Sequence, residues 1–134
     1  MEIQHTLIII WIIFSISCGI AEAFYFSKNK SYVELMNINI HYWFTLIRSI
    51  FAAPMVLIIF FKVGFLESLI FSTIMMLIFP FFHDGSYYTV RELIKKGTYK
   101  KTWFDQSKTT DALLSFNAFW RIAFMIIALL IYPY

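Results

Sequence analysis

The sequence predicts an all-α membrane protein, a bundle of four transmembrane helices. Two observations carry that expectation. Of the 134 residues, 60% are hydrophobic and only 14% are charged, and the mean hydropathy is +0.73. Four apolar runs, at about 6–26, 40–61, 65–82 and 112–132, each approach the ~20 residues a helix needs to cross roughly 30 Å of hydrocarbon. They are too long for barrel strands of about 9–11 residues. A soluble domain of this length would carry more charge, and little chain remains for a second domain, so 1–134 reads as one membrane unit.

The first run, 6–26, is preceded by no basic segment, and its apolar core continues past Cys18 and Ile20 to Phe26. It therefore reads as a span rather than a secretion signal. Cys18 is the sole cysteine, which excludes an internal disulfide and leaves it a packing role. The second run, 40–61, contains Pro54, which removes a backbone donor and predicts a kink. Lys62-Val63-Gly64 then forms a tight hairpin, so runs two and three must be adjacent and antiparallel. Pro80 repeats the kink signal near the end of the third run. Gly85 suggests a sharp turn out of it, and Thr89–Lys96 reads as a separate short helix stopped by Gly97. That element belongs to a connection, 83–111, expected to lie in the membrane interface with Tyr99, Trp103 and Phe104. Ser107, Thr109 and Thr110 are candidate caps for the fourth run.

Charge sets the expected orientation. With four crossings, the first and third connections share a side and hold eight Lys/Arg, against Lys62 alone on the other. The positive-inside rule places both connections in the cytoplasm, with both termini outside an inner membrane. Membrane lipids are the expected partners, together with further copies of the chain or another membrane protein. Nucleic acid is excluded, because the basic run is short and held against the membrane.

Seven polar residues fall at membrane depth on the cytoplasmic half: Glu22, His41, Arg48, His83, Asp84, Asn117 and Arg121. His41, Thr45 and Arg48 share one helical face, as do Asn117 and Arg121. Arg48 lies roughly 12 Å into its run and Arg121 roughly 13 Å. Ionisable groups in hydrocarbon are costly and mark function by default. Two deep arginines against one deep acid leave a positive surplus, and the guanidinium fork suits oxyanions. The expected function is therefore binding or passage of a small anion or anionic lipid headgroup through Arg48 and Arg121, with Asn117, Glu22 and His41 completing the site.

Three other readings compete. His41 and His83 could ligate haem, or form a divalent metal site with Glu22 and Asp84. His83 and Asp84 could serve as base and orienter in a membrane-embedded enzyme, with the arginines as oxyanion clamps. An oligomeric pore would place Glu67 and Lys62 at its external mouth and use the arginines to prefer anions, whereas a structural subunit would use the charges only to hold helices in register.

Overall fold

The computed structural model describes residues 2–28, 40–97, 101–104 and 116–132. Among these residues there are four α-helices: α1 (Glu2–Lys28), α2 (Ile40–Lys62), α3 (Phe65–Ile94) and α4 (Ala118–Ile131). A 3₁₀ turn, Thr102–Phe104, precedes α4. Three of the helices are long and apolar enough to cross a membrane, and α4 is shorter. This length and composition suggest a small multi-pass membrane protein.

α3 is the axis of the bundle, packing against α1, α2, α4 and the 3₁₀ turn. Its 30 residues correspond to about 45 Å at the helical rise, well beyond the ~30 Å of hydrocarbon. The sequence places the end of this helix at 82 and a new helix after Gly85. Instead α3 runs unbroken through Pro80 and Gly85 to Ile94. Gly85 is used for space rather than for a turn, since a Cβ there would overlap the Trp103 indole. Trp103 also meets the rings of Phe81 and Phe82, at 5.1 and 6.3 Å between centroids. The helix stops where Gly97 signals it, with the Gly97 N–H donating to Glu92 Oε1 at 2.5 Å and its φ at +87°.

The α2–α3 hairpin is as tight as the sequence requires. The Val63 and Gly64 N–H groups both donate to the Ile59 carbonyl, at 2.8 and 3.2 Å. Gly64 adopts φ 132° and ψ 177°, a backbone region open in practice to glycine alone. The fourth run also differs from its expected bounds: α4 begins at Ala118 rather than 112. The candidate caps Ser107, Thr109 and Thr110 lie outside the described residues.

The core joins Leu7 and Trp11 of α1, Met55 and Ile59 of α2, Phe71, Ile74, Met75 and Ile78 of α3, and Ala128 of α4. This set places the start of α1 and the α2–α3 hairpin at one end of the bundle. Tyr132, just past α4, meets the His5 ring at 5.2 Å, so α4 finishes at that same end. Within this apolar core the Trp11 indole N–H donates to the Met75 carbonyl at 2.8 Å. An indole in hydrocarbon must find such a partner. Trp11→Phe is expected to destabilise the bundle by about 1–2 kcal/mol, read as a lowered melting temperature in detergent. An unchanged melting temperature would mean that the bond contributes nothing net.

Helix α1 carries a small residue at every fourth position, Ser15, Gly19 and Ala23, and at Gly19 the α3 backbone comes so near that a Cβ would overlap the His83 carbonyl oxygen. Ser15 and Ala23 are fully buried. Without a hydrophobic drive between helices in lipid, such close backbone approach is a main source of association. Ser86 of α3 donates across this seam to the Ile16 carbonyl at 3.2 Å.

Candidate functional site: a charged cluster at one end of the bundle

The close α1–α3 seam brings Glu22 against His83. From this point the cluster grows outward through every helix. Glu22 of α1 forms an ion pair with Arg48 of α2, and its Oε1 lies 3.1 Å from His83 Nε2. The same imidazole nitrogen is 3.0 Å from an Arg48 terminal nitrogen. The other ring nitrogen, Nδ1, is 2.9 Å from Asp84 Oδ1. Asp84 then faces Arg121 of α4, 3.9 Å from Nη1 to Oδ2. Five ionisable side chains from four helices thus form one continuous chain, with His83 at its centre.

Aromatic rings fix this geometry. The His83 ring is stacked between Phe79 and Tyr87, one turn below and one above on α3, at 4.8 and 6.4 Å. Arg48 lies over the Phe79 ring at 4.7 Å and Arg121 over Tyr88 at 5.6 Å. A guanidinium gains from a ring face most where water is scarce. Phe79, Tyr87 and Tyr88 are contacts of the cluster that the charge pattern alone did not single out.

The charges balance. Glu22 and Asp84 offset Arg48 and Arg121, so the cluster is neutral when His83 is neutral. The positive surplus inferred from the sequence counted Glu22 as the one deep acid and left out Asp84, which stands just past the expected end of the third run at 82. Because α3 continues through it, Asp84 belongs to the cluster. Burial separates the two arginines: the Arg121 side chain is 1% exposed and that of Arg48 is 21% exposed. Arg48 is therefore the more accessible of the two cations, and Arg121 lies buried between α4 and α3.

One expected member stands elsewhere. Asn117 is the exposed N-cap of α4, its side-chain oxygen accepting from the Trp120 N–H at 3.1 Å. That bond satisfies one of the orphan donors of a helix start and removes Asn117 from the site. The His41 side chain lies outside the described residues, so the expected His41–His83 pairing for haem or metal falls there as well. Among the described residues, no group of three or more His, Cys, Asp or Glu could hold a metal ion.

No protein-family model matches this chain, and no curated protein or solved structure does either. The functional reading therefore stands on the geometry alone.

Proposed function

We propose that this small multi-pass membrane protein recognises an anionic group, a small anion or an anionic lipid headgroup, through Arg48, and that His83 controls the site by its protonation. The polar end would face the cytoplasm, where the basic residues concentrate. The observation that carries the reading is the position of His83, whose two ring nitrogens each face a carboxylate while Nε2 also faces Arg48.

Neutral and protonated imidazole make different demands on these partners. When neutral, Nδ1–H donates to Asp84 and Nε2 accepts an N–H from Arg48. Arg48 Nη2 is then shared between Glu22 and His83, and the cluster carries no net charge. When protonated, Nε2–H turns to Glu22, competes with Arg48 for that carboxylate and repels the guanidinium. The cluster becomes +1 and the exposed edge of Arg48 is released, so a bound anion restores both the charge balance and the hydrogen bonds.

The groups acting on His83 come from each helix: Glu22 from α1, Arg48 from α2, Asp84 from α3 itself, and Arg121 of α4 through Asp84. Cys18 of α1 lies beside Arg48 as a further titratable neighbour.

Arg48→Gln tests the reading in purified protein titrated separately with inorganic phosphate and with phosphatidylglycerol. Loss of one charge-assisted contact should weaken binding of the recognised anion about tenfold or more. Unchanged binding of both in a variant of native helicity would sink the proposal.

A further inference from the structure

A second feature begins within one helical turn of Arg48, at Ile47 and Phe51 of α2. An open apolar cavity of about 460 Å³ is lined by Ile47, Ile50, Phe51, Pro54, Met55 and Ile58 of α2, with Leu7 of α1. Its size falls within the ~300–1,000 Å³ of small-molecule sites, and every lining side chain is apolar. From Ile47 to Ile58 it runs eleven residues along α2, about 16 Å at the helical rise. That matches one leaflet of the hydrocarbon core, half of roughly 30 Å.

The direction also matches. Ile47 adjoins Arg48 at the polar end, while Ile58 and Leu7 lie toward the hairpin end. Phe14 of α1 stacks on the lining residue Phe51 at 3.9 Å and so braces α1 against α2 at mid-groove.

We infer that this groove holds the acyl chain of an anionic lipid whose headgroup engages Arg48, so that the ligand of the cluster is a membrane lipid rather than a free anion. A chain with its headgroup at the polar-end boundary descends through the groove from Ile47 to Ile58 and ends near mid-bilayer. One cation within a helical turn of the polar end and a leaflet-long apolar trough would form a composite site that a free anion uses only in part. This inference rests on the proposed anion recognition at Arg48.

Native mass spectrometry of the full-length chain in detergent separates the two claims. The protein is titrated with phosphatidylglycerol, with phosphatidylcholine of the same acyl chains, and with inorganic phosphate as competitor. Ile50→Trp fills the groove; because Ile50 is 63% exposed, the change leaves the core intact. Leu130→Trp, on the equally apolar outer face of α4, is the control, and circular dichroism monitors helicity in each variant.

The expected result is a preference of about tenfold for phosphatidylglycerol, abolished by Arg48→Gln. Ile50→Trp should weaken both lipids, and Leu130→Trp neither. Displacement of phosphatidylglycerol by phosphate, with no effect of Ile50→Trp, would overturn the lipid inference and leave anion recognition standing. Equal binding of the two lipids in wild type and Arg48→Gln, with both weakened by Ile50→Trp, would overturn the anion reading and leave only a chain-binding groove.

Discussion

Gly19→Val is expected to push α1 away from α3 and strongly destabilise the native bundle. A Cβ at Gly19 would overlap the His83 carbonyl oxygen and the Ser86 hydroxyl, and would lie 3.1 Å from the His83 carbonyl carbon. The serine can rotate away, but the backbone carbonyl cannot without moving the helix. Overpacking against backbone costs about 3 kcal/mol or more, corresponding to a melting-temperature drop of roughly 10 °C for a chain of this size. The damage also reaches the site, because the same seam sets the distance between Glu22 and His83. Thermal denaturation in detergent, followed by circular dichroism, checks the prediction. Gly19→Ala should fall in the same direction by less, and a wild-type melting temperature for the valine variant would show that the helices do not cross here.

Glu22→Ala should produce the second-largest loss, for an electrostatic reason. It leaves Arg48 facing a neutral imidazole and an aromatic ring, with no carboxylate in contact. Removing one partner of a buried pair costs about 3–5 kcal/mol, much of it from stranding the other charge. In a membrane-like environment the lower end of that range is expected, since a freed arginine can reach toward the interface. The diagnostic is the double variant Glu22→Ala/Arg48→Leu, which removes both charges and should recover most of the lost stability. Independent losses that simply add would show that the two residues are not energetically coupled.

Much of the fold was legible in the sequence because the physics behind it is one-dimensional. Span length, the Lys62-Val63-Gly64 hairpin and the clustering of polar residues toward one end all follow from counting along the chain. The course of α3 past residue 82 was not. Gly85 reads as a turn in sequence, and only the Trp103 ring seated against it shows why a helix keeps a glycine there. That one feature altered the charge balance, because an Asp84 inside the helix pairs with His83 and faces Arg121. Asn117 likewise sits at a helical spacing from Arg121, yet a helix start needs a cap, and α4 begins one residue later.

Two signals were present in the sequence and would have located the centre of the site. Ser15, Gly19 and Ala23 repeat every fourth residue within α1, the mark of a close helix crossing. Trp11, in the middle of an apolar run, carries an N–H that hydrocarbon cannot satisfy. The first gives the seam that presents Glu22 to His83, and the second fixes α1 against α3 in the apolar half. What no linear pattern gives is the stacking of His83 between Phe79 and Tyr87, which aims its two nitrogens at separate carboxylates.

The most direct test of the central claim is the pH dependence of phosphatidylglycerol and phosphate binding, measured in wild type and in His83→Gln. Protonation adds one positive charge and releases Arg48, so the binding of the recognised anion should strengthen as pH falls through the interval in which His83 takes up its proton. Glutamine cannot take up that proton, and its binding should stay weak and flat across the same interval. Wild-type binding that is independent of pH, or a slope that survives in His83→Gln, would contradict the account.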